Sequence, residues 1–274
     1  MDFKYQADGF SLKSTLECGQ CFRWKKLADG SFFGVVGNHS LRIEQKEDTV
    51  IFYDTTEEEF QQLWRNYFDF DTDYHTIYQQ ICTDSVIEKA YTYTGEIHIL
   101  RQQPWEALCS FIISQNNNIP RITGIIDRLC RQFGEPMKNG VFSFPSPQRL
   151  ASLHVDDLAG LRAGFRAKYI LDAARKITDG TIDIQGIYHS NIDKARKELQ
   201  KICGVGPKVA DCVLLFGFYR LEAFPVDVWI KRAMNYFYQN GFPKELMPYG
   251  GIAQQVIFHY IRCCADALPE GYSK

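Results

Sequence analysis

The stretch DKARKELQKICGVGPKVADCVLLFGF, residues 193–218, constrains this chain more than any other. Two segments with helical patterning flank only four residues, Cys203–Gly206, so the helices must fold back on each other as a hairpin. Gly204 and Gly206 are expected to supply positive φ angles for so tight a turn. Pro207 suits the first turn of the second helix. The unpaired backbone N–H groups of that turn, with Val209 among them, then face outward and suit a phosphate oxygen.

Such a helix-hairpin-helix binds the DNA backbone without base preference. Lys208 lies just inside the second helix, where the positive end of the dipole disfavours another positive charge. A neutral amine is a nucleophile and an ammonium is not. The plainer reading makes Lys208 one more phosphate contact. Nineteen residues on, in FPVDVW, Pro225 stops one segment and Asp227 precedes an apolar-periodic helix. Asp227 is expected to act as an N-cap, worth about 1 kcal/mol. A carboxylate there can also stabilise a developing cationic sugar or relay a proton, and the two roles are compatible.

Residues 31–54 alternate apolar and polar positions around Gly-Asn and Glu-Asp turn signals and read as antiparallel strands. CGQCFRW, residues 18–24, reads as a preceding strand with a glycine in it. From Glu57 the period becomes helical, with Phe60, Leu63, Trp64 and Tyr67 in step. After His98 nearly everything is helical, ending in a helix over about residues 250–268. The predicted fold class is α+β: an antiparallel β domain with helices over residues 1–97, then an all-helical domain over 98–274.

Residues 1–100 carry 9 Lys and Arg against 17 Asp and Glu, and residues 101–274 carry 22 against 16. A basic second part fits a polyanionic partner, although ordinary charge fluctuation gives the same balance. No apolar run reaches the roughly 18 residues of a membrane helix. The start, MDFKYQADGF, lacks the basic and apolar regions of a signal peptide. A cytosolic, nucleoid-associated protein is therefore expected. Nine scattered cysteines argue against a disulfide framework. Cys18 and Cys21 form one CxxC without a second pair at zinc spacing, so neither a metal site nor a redox pair is expected there.

GVGPKVADC followed by PVDVW resembles the signature of the helix-hairpin-helix DNA glycosylases. Together with CGQCFRW, SFIISQNNNIPRITG, AGFRAKY and GGIAQQVIF, in this order and spacing, it resembles the 8-oxoguanine DNA glycosylase/lyases over most of the chain. The resemblance implies an N-terminal domain of the TATA-binding-protein type. It implies that Lys208 attacks C1′ of the damaged nucleotide to form a Schiff base, with Asp227 in support. Cys212 and Phe258 would pack the two faces of the flipped base, and Gln254 would bond its edge. The Gly19 carbonyl would accept from the N7–H that 8-oxoguanine has and guanine lacks. Asn116 would enter the gap, Phe165 would wedge into the stack, and Arg121 and Arg166 would read the orphaned cytosine. Gly204, Gly206 and Val209 would hold the DNA backbone.

Without the resemblance, Cys212 and Phe258 read as core residues, Gly19 as a bulge or turn, and Asn116 as part of a polar helix end. The implied partner is duplex DNA containing 8-oxoguanine, bound by a monomer. No cofactor or catalytic metal is implied; an alkali ion at the hairpin turn is left open. Three positions depart from the pattern: Phe165 stands for a tyrosine, Trp229 for a phosphate-contacting histidine, and Cys203 for a proline. Two alternatives stand beside this reading. One is a glycosylase for another oxidised or alkylated base, and the other is a non-catalytic hairpin DNA-binding protein.

Overall fold

The computed structural model describes residues 2–264 and 267–268. Strands β1 (Phe3–Gln6), β2 (Trp24–Lys26), β3 (Phe32–Val36), β4 (His39–Lys46) and β5 (Thr49–Phe52) form a sheet in the order β1-β5-β4-β3-β2. The pairings β1–β5, β4–β5 and β2–β3 are antiparallel; β3, β4 and β5 fall within residues 31–54, where the alternation predicts antiparallel strands. The strand expected over residues 18–24 is a correction: β2 begins only at Trp24. Gly19 takes φ +84°, and the segment is pinned by side-chain bonds instead of a ladder.

Helix α1 (Leu12–Glu17) lies between β1 and β2 in the chain. Helices α2 (Glu57–Glu59) and α3 (Arg65–Tyr67) are the ends of one helical run, joined by a π turn over Phe60–Trp64. A Thr56–Glu59 capping box starts this run. Then follow α4 (Tyr74–Ile81), α5 (Ser85–Thr94), α6 (Pro104–Ser114), α7 (Ile119–Phe133), α8 (Pro147–Ala151) and α9 (Arg166–Thr178). The chain continues with α10 (Ile184–His189), α11 (Ile192–Leu199), α12 (Pro207–Gly217), α13 (Val228–Phe237) and α14 (Gly250–Cys263). The last helix, predicted through about residue 268, is corrected: it ends at Cys263, and Cys264 turns extended with φ −102° and ψ 113°; Ala265 and Asp266 lie outside the described residues. Among the described residues no helix is long and apolar enough to cross a membrane.

Contacts divide the chain into two compact units, and neither is contiguous in sequence. The first comprises residues up to Gln20, Ile43–Arg101, and the chain from Tyr219 on; the second comprises Cys21–Arg42 and Gln102–Phe218. In the first, Phe52, Phe60 and Phe68 are fully buried, and Phe60 stacks on Phe3 at 4.4 Å. Helix α14 packs on α5 and α13. The Asp69 carboxylate, buried here, accepts from Tyr74 Oη at 2.9 Å, from Arg101 Nε at 2.7 Å and from Tyr219 Oη. Arg101 also lies 3.6 Å over the Tyr219 ring. Tyr219 holds a left-handed backbone, φ +54°, and these contacts fix it where the segment leading to Asp227 begins.

In the second unit, α12 packs on α6, and α9 packs on α8. Gly217 lets the first pair approach closely, since a Cβ there would come within 3.0 Å of the Pro104 Cα. The ion pair Arg23–Glu106 is mostly buried, at 3.5 Å.

Burial pushes the His98 imidazole down to about 3 and that of His259 down to about 4. In the unfolded chain both titrate near 6.5. Below that value the unfolded state binds protons that the folded state excludes. Each histidine thus removes about 1.4 kcal/mol of stability per pH unit, until its folded value is reached. Urea unfolding between pH 7 and pH 4.5 should therefore show stability falling below about pH 6.5; a flat profile would contradict these buried neutral imidazoles.

Candidate functional site

The second unit carries the hairpin. Helices α11 and α12 flank the turn, as the sequence predicts. Gly204 takes φ +78°, and a Cβ there would lie 2.3 Å from the Tyr169 ring. The expectation for Gly206 is corrected: it is extended, φ −88° and ψ −180°, and caps α12 with open space around its Cα. The first intrahelical bond runs from Ala210 N–H to Gly206 O at 3.0 Å. The N–H groups of Lys208 and Val209 precede it and so lie outside the helical ladder. Lys208 is half-buried, with Nζ 5.6 Å from the centre of the Phe111 ring. Cys212, one turn on, is buried.

The turn is tied to α9. The Asp172 carboxylate accepts from Cys203 N–H at 2.7 Å and from Lys176 Nζ at 2.9 Å. Lys176 Nζ also donates to the Lys201 carbonyl at 2.7 Å. The Asn run is tied to the same helix. Arg166, at the first turn of α9, is buried and donates to the Ala163, Gln115 and Asn116 carbonyls, the last at 2.9 Å. Asn116 itself is exposed with a left-handed backbone, φ +45°. Asn118 caps α7 by accepting from Arg121 N–H at 3.0 Å, and the Arg121 side chain is exposed. Phe165 is 47% exposed, with the Arg166 guanidinium 4.4 Å over its ring. Burial, then the charge of Arg121, lowers the pKa of Arg166. Asn116, Arg121, Phe165 and Arg166 thus form one cluster. Arg166 is engaged by backbone in this state, whereas the Arg121 head is presented outward.

The first unit carries the remaining candidates. Asp227 caps α13, its Oδ1 accepting from Ile230 N–H at 2.8 Å. The cap uses one carboxylate oxygen, which leaves Oδ2 outside that bond. Helix α14 is buried along most of its length, and Phe258 is among its few half-buried positions. The Arg262 guanidinium lies 5.2 Å over the Phe258 ring. Gln254 is buried, and its Oε1 accepts from Gln255 Nε2 at 2.7 Å. Gln255 therefore orients the Gln254 amide and leaves the Gln254 NH₂ to point elsewhere. Burial raises the Cys18 thiol to about 11, which suits a core residue and not a reactive thiolate.

Sequence reasoning missed Gln20. It is fully buried, and its Nε2 donates to Thr15 O at 2.9 Å and to His98 O at 2.8 Å. Its Oε1 accepts from Leu100 N–H at 2.9 Å. One amide thus clamps the residue next to left-handed Gly19 to two distant segments and sets where the Gly19 carbonyl points. The local signal in the sequence was a glutamine directly after a glycine, between Cys18 and Cys21.

A glycine-turned hairpin with an amine at its second helix start, and a separate aspartate that caps a helix, define the helix-hairpin-helix class of DNA-acting proteins. Residues 109–247 match the HhH-GPD superfamily of base excision DNA repair proteins, and residues 3–108 match the 8-oxoguanine DNA glycosylase N-terminal domain. The N-glycosylase/DNA lyase of Saccharomyces cerevisiae is 34% identical over 258 residues, covering 83% of this chain and 68% of that protein. A solved structure of MBOgg1 with a low-affinity DNA ligand is 40% identical with a TM-score of 0.89, covering 95% of each chain. The Clostridium acetobutylicum 8-oxoguanine glycosylase/lyase, solved with duplex DNA containing cytosine opposite 8-oxoguanine, is 34% identical with a TM-score of 0.87. That match covers 96% of this chain and 97% of the other. The chain belongs to the HhH-GPD base excision DNA repair superfamily, in the branch that carries the 8-oxoguanine glycosylase N-terminal domain.

Gln20→Ala removes the Gln20 bonds to the buried His98 carbonyl and Leu100 N–H, and leaves the Thr15 carbonyl with the Cys18 thiol at 3.3 Å. A loss of about 3 kcal/mol or more is expected in urea unfolding, and a loss below about 0.5 kcal/mol would mean that the clamp contributes nothing.

Proposed function

We infer that this protein is a bifunctional DNA glycosylase/lyase that excises 8-oxoguanine opposite cytosine, with Lys208 as its nucleophile. The observation that carries the reading is the hairpin itself: Lys208 stands in the first turn of α12, over the Phe111 ring, in a chain matching 8-oxoguanine glycosylase/lyases end to end. The Nζ lone pair attacks C1′, the bond from C1′ to the base breaks, and the departing base takes up the proton that Nζ loses. The sugar ring opens to an imine between Nζ and C1′. Loss of a C2′ proton then expels the 3′ phosphate by β-elimination, and water releases the enzyme. Asp227 Oδ2 is the group that answers the positive charge developing on the sugar.

The bare N–H groups of Lys208 and Val209 are suited to the DNA backbone. Cys212, Gln254 and Phe258 would enclose the flipped base, with the Gly19 carbonyl testing its N7 edge. Arg121 reads the orphaned cytosine first, because Arg166 must give up its carbonyls before it can do so. Phe165 is the exposed wedge. The chemistry takes no cofactor. An alkali ion under the turn would be held by backbone carbonyls, donors that such ions accept, and has no part in these steps. The enzyme acts as a monomer and, in a bacterial cell, works in the cytoplasm at the nucleoid.

Borohydride should trap a covalent adduct with 8-oxoguanine duplex, and Lys208→Gln should abolish it; efficient trapping by the variant would remove Lys208 from the mechanism. Asp227→Asn keeps the cap oxygen but not the charge, so base release should slow by about 100-fold or more with little change in unfolding midpoint. If stability and rate fall together, the residue is a cap only. Cleavage opposite each of the four bases should favour cytosine, and Arg121→Ala should flatten that preference; an unchanged ranking would assign the reading elsewhere.

A further inference from the structure

Two left-handed residues lie between the 3₁₀ segment Val155–Leu161 and α9. Gly164 takes φ +61°, a conformation open to glycine. Arg162 takes φ +56°, where a side chain is disfavoured. Its backbone N–H donates to the Ala159 carbonyl at 3.1 Å. The carbonyls on either side of it are held by guanidinium groups. Arg128 donates to the Leu161 carbonyl twice, from Nε at 3.0 Å and from Nη2 at 2.9 Å. Arg166 Nη1 donates to the Ala163 carbonyl at 3.2 Å. Two arginines thus fix the backbone that carries a third, in a conformation that glycine takes more readily. A strained residue held from both sides points to a use for its side chain.

That side chain lines a pocket of about 400 Å³, wholly within the second unit. Arg121 lines the same pocket. Both residues are exposed, and among the described residues neither guanidinium makes a hydrogen bond or an ion pair. One carboxylate, that of Asp156, lines the pocket with them and pairs with neither. Two cations against one anion leave the pocket with net positive charge. Its remaining walls are small or aliphatic, so no ring is present on which a base could stack. Unpaired guanidinium groups without a stacking platform suit a phosphate, whose oxygens match the planar donor fork.

We propose that Arg162 binds a phosphate of the undamaged strand beside the orphaned cytosine. The inference rests on the proposed DNA reading, in which Arg121, on the same pocket, reads that cytosine. The phosphates nearest to a base are those of its own strand, so one arginine holds the strand while the other reads the base. A phosphate contact carries no sequence information. Arg162 therefore contributes affinity and register, and the choice of opposite base stays with Arg121.

The test is anisotropy-detected binding of the intact protein to a duplex with a tetrahydrofuran abasic-site analogue opposite cytosine, across a series of salt concentrations. The unaltered protein should prefer this duplex to an undamaged one; without that preference the DNA reading fails, and this proposal with it. With the preference present, Arg162→Gly should bind about fivefold or more weakly. The slope of its log affinity against log salt should be shallower by about 0.9. Its urea midpoint should be equal or higher, because glycine accepts the left-handed backbone. Unchanged affinity and slope in this variant would overturn the proposal and leave the DNA reading standing. The variant should weaken binding equally opposite all four bases; a flattened preference for cytosine would make Arg162 a base reader and overturn the phosphate assignment. Neutral methylphosphonates on either side of the orphaned cytosine should weaken the unaltered protein and barely affect the variant. No loss in the unaltered protein, or equal loss in both, would overturn the placement.

Discussion

The hairpin depends on an exclusion. The Tyr169 ring fills the space that a Cβ at residue 204 would need, so the turn can be built only from glycine at that point. Once the ring and the left-handed backbone are fitted together, the start of α12 has one direction. Lys208 and Cys212, one turn apart, share a face of that helix. The fastening is reinforced from α9 by Asp172 and Lys176, which hold the Cys203 N–H and the Lys201 carbonyl. The same helix, at its other end, holds the Asn run through Arg166. A single helix thus mounts both the turn that leads to Lys208 and the loop that carries Asn116. This is the rigidity a site needs when its reacting groups sit on loops.

The first unit solves the same problem with buried polar side chains. Gln20 clamps the residue beside Gly19, Gln255 orients Gln254, and Asp69 holds the strained Tyr219. Each spends buried hydrogen-bonding capacity on the direction of a neighbour. Buried polar groups of this kind are costly unless fully paired. Their concentration next to the candidate site residues is the physical mark of positions where geometry outranks stability.

The local parts of this structure were legible in the sequence. Pro207 at a helix start, the cap at Asp227 and the alternation over residues 31–54 are each decided by residues within a few positions of one another, and all appear as read. The errors came where distant residues decide. Residues 18–24 look like a strand until Thr15, His98 and Leu100 take up the side chain of Gln20. Gly206 has the residue type of a left-handed position without the conformation. Arg166 has the composition of a free reader, but its guanidinium is bound to carbonyls some fifty positions away in the chain. The short β1 strand gave no signal of its own, because its partner β5 lies more than forty residues on. The roles of the site residues came from resemblance to a family, since spacing alone leaves Cys212 and Phe258 indistinguishable from core.

The division into units has a consequence for biosynthesis. The chain passes from one unit to the other four times, and the first unit draws its closing elements from beyond Tyr219. Helix α5 buries itself against α14, which the ribosome makes more than 150 residues later. While the second unit emerges and folds, the face of α5 that packs on α14 lacks that helix. The nascent protein must hold that early surface open through most of its own translation. Its vulnerable interval, for aggregation or chaperone capture, ends only when the last helix leaves the exit tunnel.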